Sequence, residues 1–359
     1  MPKYGLKTTI TLDGNTIANP ISGSIRKMTN KSTICDLTYP NKNGLMMHYI
    51  KWNSVIKVYL GLDTTEADPV FTGIPFAKKG RETITYSFTD LFGYLNRAKD
   101  MKVDDFTNFD GVEAGQSILE VIGGADYSMF NTVLSTDGIQ GTNPVVTLDD
   151  TLRFPGYTSR YDLIRNINNR CWDISEYPKE PEPYILYMRD NVLHHEKQTR
   201  LADATAIDTI ATADNMLTSA PSWDIQKLIN KQTVFGDSYE DGYERKRLYE
   251  GTADDDSSIK QFGVCCGTPI TDKSLTNNGD CISKAERIIE ANKSVIVRAT
   301  ISTVGGFTFI PGKDYITVTD SSYGIEGTHR IAELRYTFGN DESTKITLDN
   351  TRPIMTDYI

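Results

Sequence analysis

The stretch from Val295 to Asn350, VIVRATISTVGGFTFIPGKDYITVTDSSYGIEGTHRIAELRYTFGNDESTKITLDN, constrains this chain more than any other. In RIAELRYTF, alternation places Ala332, Leu334, Tyr336 and Phe338 on one face and Ile331, Glu333, Arg335 and Thr337 on the other, the period of a half-buried strand. KITL repeats the pattern with Ile346 and Leu348 inward, and GNDES supplies Gly339, Asn340 and Asp341 for a tight reversal. Upstream, Ile316 and Val318 share a face of PGKDYITVTD, and the SYGIEG turn with Gly324 and Gly327 leads into the next strand. The unit is a β-meander with short connections.

A similar unit lies near the front. WNSVIKVYLG, DPVFTGIPFAKKG and RETITYSFTDL read as three strands, with Ile84, Tyr86 and Phe88 alternating against Thr83, Thr85, Ser87 and Thr89. Before it, alternation through Ile10 and Leu12 turns at Asp13-Gly14 and resumes through Ile21, Gly23 and Ile25. STICDLTYPN then adds another strand. The two meanders match in order, which predicts an internal duplication of one β-module.

Between them the pattern changes. VEAGQSILEVIGG spaces Ile118, Leu119 and Ile122 as a helix stopped at Gly123-Gly124. TSRYDLIRNINNRCW opens on a capping box, Ser159 and Asp162. PYILYMRDNVLHHEKQ reads as a hairpin turning at Asp190-Asn191, reached through the stiff, Pro-rich SEYPKEPEPY. SWDIQKLINKQTVFGD reads as one long strand ending at Gly236. An acidic solvated loop follows through DSYEDGYERKRLYEGTADDD, and DCISKAERIIEANKS is a helix with Cys281, Ala285, Ile288 and Ile289 on one stripe. The expected fold is therefore mainly β with an α+β middle section. Residues 1–97 form a first barrel-like module, 98–213 the mixed middle, and 214–359 a second module with the acidic loop and one helix.

With 359 residues the chain is long enough for two or three cores. No apolar run approaches the roughly 20 residues of a membrane helix, and MPKYGLKTTITLDG enters strand-like alternation without a signal-peptide core, so folding in a cytoplasm is expected. Lys and Arg number 38 against 48 Asp and Glu, a net charge of −10, which argues against nucleic-acid binding because phosphate contacts need clustered bases. Five cysteines without C-x-x-C spacing read as reduced, mostly buried thiols.

Chemistry-bearing patterns are sparse. His194 and His195 are adjacent on a strand and point to opposite faces, so they cannot share a metal without a bulge. His329 falls on the polar face of Glu333 as a solvated side chain, and His48 sits among apolar neighbours in LMMHYIKW. Neighbouring thiols bend poorly round an ion, so Cys265-Cys266 with Cys281 predicts no metal site. Asp149-Asp150 and Asp254 to Asp256 could supply an acid and a base, but they lie in turn-like sequence that fixes no separation. Nucleophile-elbow, Walker, H-E-x-x-H and dinucleotide motifs are missing from the sequence, so no catalytic residue, metal, cofactor or enzyme activity is expected.

The order of elements resembles the tail hub, or baseplate hub, proteins of tailed phages, including the N-terminal hub regions of siphophage tail-associated proteins and of VgrG spikes. The resemblance rests on VIKVYLG with DPVFTGIPFAKKGRETITYSFTDLFGYLNR, on SRYDLIRNINNRCW, on DIQKLINKQTVFGD with Asn230 and Gly236, and on the helix with IPGKDYITVTDSSYGIEGTHRIAELRYTF. It implies two tube-like β-barrel modules per chain and a homotrimeric ring that adapts a sixfold tail tube to a threefold tip. Tube or distal tail protein would lie on one side, and a spike, fibre or tape-measure protein on the other. DNA would pass without specific binding, in a virion tail assembled in the host cytoplasm. Gly73, Asp90, Gly312 and Gly327 become structural punctuation under this resemblance. The sequence reaches Ile359 just after the second module, so no appended lysozyme, peptidase or fibre domain is expected. The alternative is a two-domain, β-rich carbohydrate-binding or adhesion protein, for which 19 tyrosines leave room.

Overall fold

The computed structural model describes residues 8–60, 69–97, 101–102, 114–123, 125, 127, 134–139, 157–169, 172–173, 182–189, 191–199, 203–211, 214, 216–224, 228–240, 246–273, 275–293, 296–303, 307–320, 325–339 and 342–349. The chain divides into two compact units. One takes residues 1–172, 183–220 and 299–348, and the other 173–182, 221–298 and 349–359. This differs from the sequential three-part division read from the sequence. Strands from both ends of the chain hydrogen-bond into one sheet, and strand pairing ignores order along the chain.

The first unit begins with β1 (Thr8–Leu12) and β2 (Asn15–Ile17), joined at Asp13 and Gly14, both at positive φ as a two-residue hairpin turn requires. Next come β3 (Ser22–Met28) and β4 (Ile34–Pro40), a kinked 3-10 helical segment at Lys42–His48, and β5 (Ile56–Leu60), β6 (Phe71–Lys79) and β7 (Thr83–Thr89). Ile84, Tyr86 and Phe88 are buried as the alternation demands. Helix α1 (Leu91–Tyr94) starts at Asp90, whose buried carboxylate accepts from Gly93 N–H at 2.8 Å and Thr33 N–H at 2.6 Å.

The middle of this unit holds β8 (Met101–Lys102), α2 (Ala114–Gly123), β9 (Ser135–Ile139), β10 (Tyr157–Thr158), α3 (Arg160–Asn169), β11 (Trp172–Asp173), β12 (Glu182–Arg189) and β13 (Val192–Lys197). Ser159 and Asp162 form the expected cap, with Asp162 N–H donating to Ser159 Oγ at 3.1 Å. Asn191, at φ 64°, turns the β12–β13 hairpin. Val121, Ile122, Leu163, Ile164, Leu186 and Leu193 pack in a core of their own.

The chain then makes β14 (Asp208–Ala211) and β15 (Met216–Asp224). The second unit follows, with β16 (Lys231–Glu240), β17 (Lys246–Asp254), α4 (Asp256–Phe262), β18 (Ile270–Thr271) and α5 (Asn278–Asn292). Its sheet runs β17–β16–β18, and α5 lays Cys281, Ala285 and Ile288 on Val234 and Leu275. A Cβ on Gly251 would sit 2.2 Å from Ile282 N, so glycine lets the helix backbone approach the strand.

Two expectations are corrected here. The segment read as one strand ending at Gly236 is two strands, and Asn230 lies just before the second. Much of the expected acidic loop is strand: β16 continues to Glu240, and Lys246 and Arg247 open β17 as exposed strand residues. Glu244 and Arg245 lie outside the described residues. The alternating pattern of KRLYEGTAD was masked by its charge.

The first unit is completed by β19 (Ile296–Thr303), β20 (Tyr315–Asp320), β21 (Ile325–Gly339) and β22 (Ser343–Asp349). Its strands form one thirteen-stranded sheet with the path β15-β19-β22-β21-β3-β4-β7-β6-β5-β1-β2, to which β20 and β14 add through β21. The two barrels expected from sequence are therefore not closed barrels: β21 pairs with β3, and the sheet runs on from one half to the other. The mainly β class stands. Gly327 lies inside β21, opposite Val318, and not in a turn before it.

Asn230 organises the second unit. It is fully buried, its Nδ2 donates to Gly263 O at 2.7 Å and its Oδ1 accepts from Cys265 N–H at 2.7 Å. Asn230→Ala strands both backbone groups, at about 1–3 kcal/mol each. Denaturant unfolding is expected to show a loss of about 3 kcal/mol. Equal stability of wild type and Asn230→Ala would contradict this account.

Candidate assembly edges

The joint between the two halves of the large sheet is antiparallel, with Glu333 opposite Met28, Tyr336 opposite Ile25 and Gly339 opposite Ser22. Arg26 donates from Nε to Glu333 Oε1 at 2.6 Å and from its terminal nitrogen to Oε2 at 2.8 Å, a two-pronged pair between residues 307 positions apart. That hydrogen bond raises the pKa of Arg26 above its ordinary value. Gly23 faces the Phe338 ring, where an added Cβ would sit 2.1 Å from Cε2, so only glycine allows the ring to cover the joint.

The two halves share a strand order. In the first, the path β1-β5-β6-β7-β4-β3 contains the first, fourth, fifth, sixth, third and second of these strands along the chain. In the second, β14-β20-β21-β22-β19-β15 repeats that order. The halves differ in that β1 is antiparallel to β5 and also carries β2, whereas β14 is parallel to β20. Even the irregularities correspond. The register against the next strand shifts between Pro75 and Ala77 in β6 and between Ile331 and Glu333 in β21.

Among the strand edges of the described residues, two bear on how one module meets the next. One is the outer side of β15, the terminal strand of the sheet. The other is the side of β6 facing away from β7 beyond Gly73, because β5 covers only Phe71–Gly73. Leu217 on β15 is 56% exposed and Phe76 on β6 is 44% exposed. Near β6, Lys78 Nζ donates to Met47 O at 3.0 Å and lies 5.0 Å from the centroid of the Trp52 ring. Leu45 and Tyr49 are exposed in the same segment as Met47.

The residues scrutinised for chemistry are dispersed. His194 stacks on Tyr187 at 4.7 Å and lies 3.6 Å from Glu196, while His195, on the opposite face, is buried against Tyr184. His329 is buried, not solvated as expected, because the bulge after Ile331 breaks the parity that put it on the face of Glu333. His48 is part of the helical segment at Lys42–His48. Cys35 and Cys281 are buried, Cys265 is half-buried and Cys266 exposed. No group of three metal-ligating side chains gathers among the described residues. Cys171, Asp149 and Asp150 lie outside the described residues. Asp255 caps α4 through Ser258 N–H, and hydrogen bonds from Ser257 and Ser258 hold its pKa at about 2.

Gly312, at φ 87°, donates its N–H to Ile331 O, and its carbonyl accepts from Gln198. Gly73 sits beneath the Phe71 ring, and Gly327 is at φ 103°. The carboxyl of Asp90 is raised to about 6 by burial.

A polar cluster escaped the sequence reading. Lys313 Nζ reaches Glu196 Oε2 at 2.9 Å and the Tyr187 hydroxyl at 2.8 Å, and that hydroxyl donates to Glu196 Oε1 at 2.9 Å. Burial pushes the Glu196 carboxyl up, but the hydrogen bonds from Lys313 and Tyr187 outweigh it and hold it below the usual range. The cluster ties β12 and β13 to the turn before β20. Only the shared face of His194 and Glu196 in HHEK signalled it in the sequence. It is a structural clamp with no open nucleophile.

Comparison with known proteins fits this geometry. Residues 204–359, a little under half of the chain, match the family model described as prophage endopeptidase tail. The whole chain aligns with a tail protein from Neisseria meningitidis MC58 at 14% identity, over 99% of each chain, with a TM-score of 0.63. It aligns with the 43 kDa tail protein of prophage MuSo2 from Shewanella oneidensis at 14% identity, over 96% of this chain and 98% of that one, with a TM-score of 0.62. Prophage tail protein gp18 from Listeria monocytogenes EGD-e aligns at 10% identity, over 98% of this chain and 96% of that one, with a TM-score of 0.54. No curated protein sequence matches the chain. At these identities the likeness is one of fold: the chain has the fold of phage tail proteins, the group its modules resemble.

Burial also makes stability depend on pH. The pKa of His195 is lowered from 6.5 to about 4. Between those values the unfolded chain binds more protons, so the contribution is complete above pH 6.5 and is lost as pH falls towards 4, by about 3 kcal/mol in total. Asp90, with its raised carboxyl, works in the opposite direction over a similar range. The difference between wild type and His195→Phe isolates the histidine. Denaturation at pH 7 and pH 4.5 is expected to show a smaller acid-side loss in the variant, and identical losses would contradict the assignment.

Proposed function

We propose that this chain is a structural hub protein of a phage or phage-like tail, closing as a homotrimeric ring between a sixfold tube and a threefold tip. The observation that carries the reading is the repeated strand order within one continuous sheet. A chain with two like modules side by side presents, three times over, six like modules to a tube above. The likeness in fold to tail proteins and the match of residues 204–359 support it. We read the two half-sheets as products of a duplication, with the second unit inserted between β15 and β19, where the first module has only the β3–β4 turn.

Under this reading tube or distal tail protein contacts one side of the ring, and a spike, fibre or tape-measure protein the other. The place of action is the virion tail, assembled in the host cytoplasm. The net charge of −10 suits a passage that DNA slides through without being held, since like charge repels the phosphates. The role is structural and not enzymatic. The word endopeptidase in the description of the matched family supplies no nucleophile, and the dispersed histidines and carboxylates favour none.

Cryo-electron microscopy of the assembled tail is expected to show three copies of the chain around the axis, enclosing a channel wide enough for a DNA duplex. Six copies, or any number not divisible by three, would contradict the adaptor. Peptide hydrolysis by purified protein that is abolished by one carboxylate or histidine substitution would contradict the structural role.

A further inference from the structure

The correspondence between the halves says more than that they are alike, because the joint inside the chain is itself an example of how one module meets the next. β21 is divided between partners on the side away from β22: β20 takes Ile325–Arg330 and β3 takes Glu333–Gly339. Its counterpart β6 begins the same way, with β5 on Phe71–Gly73, and then pairs with no further strand on that side among the described residues, while Arg97 donates to the Pro75 carbonyl. The bulges align the two strands. Pro75 and Ala77 face Phe88 and Ser87 on β7 as Ile331 and Glu333 face Leu348 and Thr347 on β22. Ala77, Lys78 and Lys79 therefore stand where Glu333, Leu334 and Arg335 meet β3. The counterpart of β3 is β15, second along the chain in its half and bonded to β19 as β3 is to β4. β15 is also the strand whose outer side is open.

We propose that the ring closes by strand addition: the outer edge of β15 in one copy pairs antiparallel with the open stretch of β6, Phe76–Lys79, in the next. This rests on the ring reading above and specifies its contact. Each module joint in the ring is then the same, three made within chains by β21 and β3 and three between chains by β6 and β15. No strand rotation or exchange is needed, since both edges already lie in the sheet that the internal joint continues. Main-chain hydrogen bonds supply the attraction, and covering Phe76 and Leu217 adds apolar burial. The other ends of the sheet, β2 and β14, are three and four residues long, too short to serve as template.

A cysteine scan in tails assembled from the full set of tail proteins tests this. Lys79→Cys is combined in one chain with Thr218→Cys, Ala220→Cys or Ser222→Cys, all exposed positions, in a background of Cys265→Ser and Cys266→Ser. Three partner positions allow for the register and for any one variant that folds poorly. After oxidation, at least one combination is expected to give a covalent ladder ending at trimer on a non-reducing gel, while the single cysteines run as monomer. A threefold ring seen by electron microscopy, with no cross-link in any combination, would overturn the strand pairing and leave the ring standing. The absence of a threefold ring would overturn both.

Discussion

The thirteen-stranded sheet of the larger unit depends on the pairing of β21 with β3. Seven successive residues of each strand stand opposite one another in this joint, and residues near the two ends of the chain are thereby held in one wall. The loop-closure cost of such a contact grows only slowly with separation, so a pairing across some 307 positions is affordable once the local hairpins exist. The Arg26–Glu333 pair is partly exposed and contributes little stability by itself; its geometry fixes register. A one-residue slip would put Ile25 and Tyr336 on opposite faces, and the cost of exposing the apolar set of one strand forbids it.

The packing behind the wall follows the same logic. Ile25, Leu37 and Phe88 from the first half and Ile301, Leu334 and Phe338 from the second belong to a single hydrophobic cluster, so the halves share a core as well as a sheet. The Tyr336 hydroxyl donates to Phe307 O within it, which gives a buried phenol the partner it requires. A rigid wall built of two like halves is what a ring component needs: each half can meet a repeating neighbour, and the relation between the halves is set within the chain.

Much of this was legible in the sequence wherever a period was present. The alternation of Ile84, Tyr86 and Phe88, the stripe of Cys281, Ala285 and Ile288, and the cap formed by Ser159 and Asp162 each reappear as written, because the physics that sets them is local. Where the period breaks, the reading failed. The bulge between Ile331 and Glu333 buries Ile331 and His329, both assigned to the polar face, and leaves Ala332 only half-buried. The charged run of β17 concealed a strand, and the buried Asn230 just before β16 finds its partners, Gly263 and Cys265, far along the chain, where no local pattern could show them. The joint itself had no local signature. Glu333 was read only as part of a polar face, and the fold alone brings Arg26 to it.

Native-state hydrogen exchange on the full chain tests most directly the claim that the halves are one cooperative wall. The backbone amides of β3 and β21 that bond across the joint are expected to share one opening free energy, equal to that of global unfolding and unchanged in rank as denaturant is added. Exchange of the β3 amides through a smaller opening that leaves β21 and β22 protected would show that the halves are separable bodies, and would contradict the account.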